Sequence, residues 1–432
     1  MFISDALKIN EKGNLTIGGC DAVGLASKYG TPLYVMDEMQ IRRNCREYKN
    51  ALDLSYDSKG MILYAGKAFL TKAVCKIADE EGLGLDVVSG GELYTAIKAG
   101  FTPEKIFFHG NIKTKEEIKM AIDYGIGCFV IDSREDLFRV NGIAKEVDKQ
   151  VTVSLRLKPG IDAHTHDFIR TGQSDSKFGI DIETGEALGI VKEILKLSNV
   201  QLKGIHCHIG SQIFDYPPFE EASRVMLGFI KNVKDETGYV ISQLNLGGGY
   251  GIKYVAGDNP INFGEYIKAI SVVVKSFCEE NKMEIPFILM EPGRSIVASA
   301  GVTLYKAEVI KDIKNVRKYV IVDGSFADNP RYALYKAEYE CIAVTKPTEP
   351  RTETVTIAGR TCESGDVIIK DISMPIVNEG DILAVPATGA YNYSMSSNYN
   401  RLPRPAVVMT CCGEDRLIVK PETYEDLLRN DL

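Results

Sequence analysis

The sequence predicts an α/β fold: a (β/α)8 TIM barrel joined to a smaller, β-rich domain. Three observations carry this prediction. The chain has 432 residues, and a barrel of about 250 residues leaves a remainder of domain size. Between about residues 60 and 295, eight short apolar runs are separated by segments with helical spacing. On either side of that stretch, apolar runs divided by Pro, Gly, Asp and Asn replace the alternation.

Taken in order, the eight runs are MILYA (61–65), LGLDVVS (83–89), KIFFHG (105–110), GCFVID (127–132), VTVSLRL (151–157), LKGIHCH (202–208), QLNLGGG (243–249) and FILMEPG (287–293). Each is apolar with little alternation, as expected of parallel strands covered on both faces. Helical spacing marks TKAVCKIADEEG (71–82), KEEIKMAIDYG (115–125) and FGEYIKAISVVVKSFCEENK (263–282), with a further helix near 40–52. Several of these segments run into Gly, which suits the left-handed residue after a helix. An open doubly wound sheet is the structural alternative, but it brings a Gly-rich fingerprint near its start, and none is present.

The flanks carry LYVMD (33–37), GVTLYKAEVI (301–310), KYVIVDG (318–324), ECIAVTK (340–346), ETVTIAG (353–359), DVIIKD (366–371), DILAVPA (381–387) and PAVVMTC (405–411). They read as an antiparallel β-domain. One of its strands precedes the barrel, so the domain is discontinuous. The expected division is a barrel over 38–297 and a β-domain over 1–37 and 298–432.

Composition narrows the function classes. Hydrophobic residues at 45% and charged residues at 25% exclude a largely disordered chain. A net charge of −8, spread along the chain, argues against nucleic acid or an anionic membrane as partner. No apolar run approaches the ~20 residues of a membrane span. The N-terminus has no basic stretch followed by an apolar one. Ten cysteines without a CxxC pair point to a reduced, cytoplasmic protein. Cys411 and Cys412 read as buried strand thiols, His164 and His166 as loop residues, and PETYEDLLRNDL as a solvated helix.

Barrel enzymes place their chemistry where strands end, and the unusual residues collect there. Lys67 stands just past the first strand. A lone surface lysine is most often solvated, but one partly withdrawn from water at a barrel mouth can attack a carbonyl and form a Schiff base. The seventh strand ends in Gly247, Gly248 and Gly249. Such a triplet is a tight turn by default; here it also lets backbone N–H groups approach an anion, in the usual phosphate position of the fold. The eighth ends in Glu291, Gly293 and Arg294. The sixth carries His206 and His208 on one face, as metal ligands, as a hydrogen-bonded core pair, or with one ring stacked on a planar group. A divalent metal needs more carboxylate or histidine ligands than an Arg-bearing strand end offers. A lysine, a phosphate cradle, a stacking ring and a carboxylate for a pyridinium nitrogen are the parts of a pyridoxal 5'-phosphate site.

The chain resembles the alanine-racemase-like, fold-type III family of pyridoxal phosphate enzymes from about Thr31 to about Pro405. The matching stretches are YAGKAF, DVVSGGEL, HGNIK, HDFIRTGQSDSKFGI, GIHCHIGSQ, NLGGGYG, EPGRS, VDGSFADNPRYALY, GRTCESGD and GAYNYSMSSNYN. SKFG, CESGD and MSSNYN point to the branch acting on meso-2,6-diaminopimelate, not to the ornithine and arginine relatives. The resemblance implies that Lys67 carries the cofactor with Asp86 nearby, and that His208 stacks on its ring. It implies that Ser211, Gly247–Gly249, Gly293 and Arg294 hold the phosphate, that Glu291 holds the pyridine nitrogen, and that Tyr391 contacts phosphate and substrate. Arg294, Arg331, Tyr335 and Glu363 would hold the distal end of the substrate. Cys362 would be the proton donor, and Cys362 and Glu363 would come from the partner subunit of a homodimer.

The residue types agree with that substrate. Its distal head carries a carboxylate and an ammonium, which call for Arg and for an acid. The implied product is L-lysine, with loss of CO2. The alternatives are a decarboxylase of carboxynorspermidine or another long basic amino acid, a metal-dependent barrel hydrolase using His206 and His208, and a non-catalytic homologue.

Overall fold

Eight parallel strands close on themselves in the computed structural model, which describes residues 2–161 and 176–432. His164 and His166 lie outside the described residues. The strands are β1 (Gly60–Ala65), β2 (Gly84–Val87), β3 (Ile106–Phe108), β4 (Cys128–Ile131), β5 (Val151–Lys158), β6 (Val200–His206), β7 (Gln243–Asn245) and β8 (Phe287–Met290). Each pairs in parallel with the next, and β8 pairs with β1, so no edge is left open. All eight apolar runs of the sequence are strands of this barrel. Leu63, Phe107, Cys128, Val130 and Leu289 form one buried cluster drawn from β1, β3, β4 and β8.

Local chemistry starts and stops the helices between the strands. Thr71, Ser89, Thr114 and Ser133 each accept the N–H of the third helical residue, satisfying a donor that the helix itself leaves open. Glu117 reaches back to Thr114 and completes a capping box. Gly100 and Gly125 end their helices in the left-handed conformation, at φ 74° and 80°. The helix expected near 40–52 is longer and runs over Glu38–Tyr56.

Two compact units result. One comprises Cys45–Gly251 and Pro260–Gly293; the other comprises Met1–Asn44, Ile252–Asn259 and Arg294–Leu432. The segment Ile252–Asn259 follows the seventh barrel strand in sequence, yet its contacts are those of the β unit.

In the β unit, strand Leu33–Asp37 lies between Gly301–Ile313 and Ala406–Cys411, antiparallel to the first and parallel to the second. Arg317–Val322 also pairs in parallel, with Glu353–Ala358. The expectation of a wholly antiparallel domain is therefore corrected: the sheet is mostly antiparallel with two parallel pairs. Parallel neighbours need a crossover of about a dozen residues or more. The crossover between 322 and 353 is long enough to carry a short helix, Arg331–Tyr335. ECIAVTK shrinks to the two-residue strand Ile342–Ala343. Strands Leu7–Ile9, Leu15–Ile17 and Glu414–Val419 were too short or too polar to read.

Cys411 and Cys412 are not buried strand thiols: Cys411 is half-buried at a strand end and Cys412 is exposed. Cys412 and Gly413, at φ 52° and 89°, form the tight turn into the next strand, which forces that thiol outward. The C-terminal stretch holds the short solvated helix Tyr424–Leu428. Among the described residues, no helix is long and apolar enough to cross a membrane.

Candidate active site

The C-terminal ends of the barrel strands hold a buried polar cluster built by one residue from each of several strands. Lys67 sits in the single turn Gly66–Ala68 directly after β1 and is half-buried. Asp86 on β2, His109 after β3, His206 at the end of β6, Asn245 at the end of β7 and Glu291 after β8 are all buried.

Glu291 is the hub. Asn245 Nδ2 donates to its Oε1 at 2.7 Å, and His206 Nε2 lies 3.1 Å from Oε2. His109 Nε2 approaches Oε1 at 2.9 Å and stands 3.7 Å from Asp86 Oδ1. The two imidazoles meet edge to face, with centroids 4.9 Å apart.

The electrostatics follow from burial and neighbours. Burial alone would raise the Glu291 carboxyl, but the facing His109 and His206 hold it well below its ordinary range. Burial pushes His206 down to about 4, against the pull of Glu291. A neutral His206 beside an ionised carboxylate carries its proton on Nε2, which leaves Nδ1 as an acceptor. Burial, then the charge of Lys67, keep His208 well below 6.5. Burial raises Asp86 despite His109, and raises Glu92 to about 7.

The glycine run after β7 is dictated by close approach. A Cβ on Gly248 would stand 2.1 Å from the Glu291 carbonyl oxygen, and one on Gly247 or Gly249 would meet the carbonyls of Cys207 or Gly210 at 2.5 and 2.4 Å. Gly247 and Gly249 also adopt φ of 67° and 115°, open to glycine at little cost. Gly293 is tied to the same rim, because a Cβ there would meet that of Ala65 at 2.9 Å. Gly248 N–H donates to His208 Nδ1 at 3.3 Å. Ser211 is half-buried in the loop that follows.

The two histidines of HCH therefore do different things. β6 ends at His206, which bonds Glu291, while His208 lies past the strand end and takes a glycine N–H. His109, His206 and Glu291 have ligand atoms within 4.8 Å of one another. The hydrogen bond and contacts among the three account for that closeness.

In the β unit, a second cluster gathers the arginines. Arg294 Nη1 donates to the Tyr254 hydroxyl at 2.6 Å, and its guanidinium lies 4.8 Å from the Tyr391 ring. Arg331 opens the helix Arg331–Tyr335, stacks 3.4 Å from the Tyr254 centroid and donates to the Glu338 carbonyl at 2.6 Å. Tyr335 is half-buried at the other end of that helix. Tyr391 adopts φ 68° before the short helix Asn392–Met395.

Cys362 and Glu363 are exposed on a turn of the β unit. Buried Asp366 organises that turn by accepting from Phe326 N at 2.7 Å and Thr361 N at 2.9 Å. Cys362 N–H bonds Asn400 at 2.9 Å.

Several polar residues escaped the sequence reading. His109 lies in HGNIK, at the end of an apolar run. Arg156 was the one charge in the apolar run VTVSLRL; it lies 4.3 Å over the Phe178 ring and 3.8 Å from Asp132. Asn245 is an amide two residues before the glycine run. A polar residue inside an apolar strand run is the signal that could have found all three.

These features define a pyridoxal phosphate-dependent decarboxylase on an alanine-racemase-like fold. The family model "Pyridoxal-dependent decarboxylase, pyridoxal binding domain" matches residues 38–298. Within that class, the chain belongs to the diaminopimelate decarboxylases. It is 48% identical to the diaminopimelate decarboxylase of Bacillus subtilis over 100% of this chain and 98% of the relative. It is 46% identical to that of Staphylococcus aureus over 98% and 99%. A crystal structure of the M. jannaschii enzyme in co-complex with L-lysine superimposes with a TM-score of 0.94, at 39% identity and covering 100% and 99% of the two chains.

The strand-end residues fit pyridoxal phosphate. A carboxylate offers about four lone-pair positions, and three close neighbours approach Glu291, two at Oε1 and one at Oε2. Oε2 keeps room for a ring N–H. Asp86 Oδ1 and His206 Nδ1 are buried without a hydrogen-bond partner among the described residues. Buried polar atoms of this kind call for a polar ligand.

Proposed function

We propose that the chain catalyses decarboxylation of meso-2,6-diaminopimelate to L-lysine and CO2, the last step of lysine biosynthesis, with Lys67 as the residue that carries pyridoxal phosphate. The observation that carries the reading is Glu291, an ionised carboxylate held at the barrel mouth by Asn245 and two histidines. When bound, the cofactor supplies an electron sink for the pair left as the Cα–carboxylate bond breaks.

The chain's own residues do the rest. Glu291 would keep a ring nitrogen protonated, with Asp86 and His109 maintaining the charge balance around Lys67. His208 would stack on the ring. The resemblance would have the N–H groups of Gly247–Gly249 and the turn at Gly293, with Ser211, Arg294 and Tyr391, hold the phosphate. Arg294 and Arg331 bind the distal carboxylate in bidentate fashion, and Tyr335 and Glu363 take up the distal ammonium. Cys362 gives its thiol proton to Cα after CO2 leaves, and is reprotonated from water.

The exposure of Cys362 and Glu363 within one chain supports a homodimer in which each subunit lends them to the other. Domain limits of 38–297 for the barrel, with 1–37 and 298–432 for the β-domain, and a cytoplasmic location complete the reading.

The test is a visible spectrum of the purified protein, then CO2 release from meso-diaminopimelate, carboxynorspermidine, ornithine and lysine. A cofactor band with turnover of meso-diaminopimelate alone is expected. Preference for a substrate without a distal carboxylate would overturn the assignment of the arginines. Cys362→Ala should slow kcat by about 100-fold, within the range of a lost general acid, and leave the band in place. Wild-type kcat in that variant removes Cys362 from the reaction.

A further inference from the structure

We propose that Tyr254 is a positioning residue for substrate recognition, holding both Arg294 and Arg331 in the orientation that a distal carboxylate requires. The inference rests on the reading of those arginines given above, and assigns a role to a residue outside it. Tyr254 belongs to the segment Ile252–Asn259, which makes its contacts in the β unit. Its side chain is 1% exposed.

The geometry uses two different parts of one phenol. The hydroxyl accepts the Arg294 Nη1–H at 2.6 Å. The ring face carries the Arg331 guanidinium, 3.4 Å from the centroid. A hydroxyl fixes direction, because a charge-assisted hydrogen bond is short and directional. A stacked face fixes the plane of the guanidinium and leaves its in-plane N–H fork turned to the side. Two arginines brought close also repel, and the phenol offers each of them electron density. Among the groups around Arg294, Tyr254 is the foremost in restoring the charge that burial opposes.

The tyrosine is itself held from both ends. Its backbone N–H and that of Val255 donate to Asp258 Oδ2 at 2.9 and 3.1 Å. Ala256 N–H donates to Glu340 at 3.3 Å. Its ring meets Tyr339 edge to face at 5.5 Å, and Tyr339 in turn pairs with Asn392. A rigid mount of this kind lowers the ordering penalty of binding. Phenylalanine would keep the face and lose the hydroxyl; leucine would lose both.

The experiment compares Tyr254→Phe, Tyr254→Leu and Arg331→Ala as holoenzymes, reading kcat and KM for meso-diaminopimelate beside the visible cofactor band. Tyr254→Phe should raise KM about tenfold, the low end for a lost hydrogen bond to a charged group. Tyr254→Leu should raise it about 30-fold as the stacking is lost too. In both, kcat should stay within about twofold and the band should persist, a split that general destabilisation does not produce. If Arg331→Ala raises KM and neither tyrosine variant does, the role of Tyr254 is wrong while the reading of the arginine stands. If Arg331→Ala leaves KM unchanged, that reading falls and the inference with it. A fall in kcat together with loss of the band in Tyr254→Phe makes the residue structural and overturns the proposal.

Discussion

The polar groups of the barrel unit and those of the β unit are built on opposite plans. In the barrel, Asp86, His109, His206, Asn245 and Glu291 are buried at strand ends and held by one another. In the β unit, Arg294, Arg331 and Tyr391 are half-buried, the two arginines lie over the faces of Tyr391 and Tyr254, and Cys362 and Glu363 are exposed. Stabilising charge that develops during a reaction requires dipoles fixed beforehand in a dry site. Recognition of a charged substrate head requires groups that can reach water until the substrate arrives. On the proposed reading, the comparison gives the cofactor's chemistry to the barrel unit, and substrate recognition together with the proton donor Cys362 to the crossover and turns of the other.

The sharpest way to break that division is Lys67→Ala. It should lower turnover by at least about 10³-fold, the scale of removing a covalent catalytic group, and abolish the visible band. A yellow, active variant would end the assignment. Glu291→Gln comes next. It keeps the shape and removes the charge, so kcat should fall by about 10² with KM nearly unchanged; a change confined to KM would move Glu291 into the recognition class.

Arg331→Ala tests the other side of the comparison. KM should rise by about 30-fold, as when one partner of a buried charge pair is lost, while kcat holds; a matching drop in kcat would blur the division of labour.

The smallest effect is on stability. Burial holds His206 near 4 in the folded chain against an ordinary 6.5. Between those values the unfolded state binds the extra proton, so stability is fully present above about 6.5 and is lost as pH falls through 4. Denaturant titrations should show a steeper acid loss in wild type than in His206→Gln. Parallel curves would mean the imidazole is not held neutral.

Much of this was legible in residue order. The eight barrel strands, the helices between them and the discontinuous β-domain follow from apolar runs, helical spacing and glycine stops, all local signals. Lys67, the glycine run and Glu291 stood out because charged or conformationally free residues end apolar strands. What escaped was decided by distant neighbours. His109 ended the strand run KIFFHG without a role, and only the closing of the barrel brought it to Glu291. Cys411 and Cys412 looked buried until the turn at Gly413 exposed the second. Tyr254 follows the seventh barrel strand, yet the arginines it holds, Arg294 and Arg331, lie far along the chain.

The sequence by itself determined the barrel's strands and helices and the types of reacting group, because periodicity and side-chain chemistry act over a few residues. Only the tertiary structure decided which groups are charged, which imidazole meets which carboxylate, and where the two parallel pairs enter the sheet. Burial, hydrogen-bond direction and long-range strand pairing depend on residues that sequence order does not place side by side.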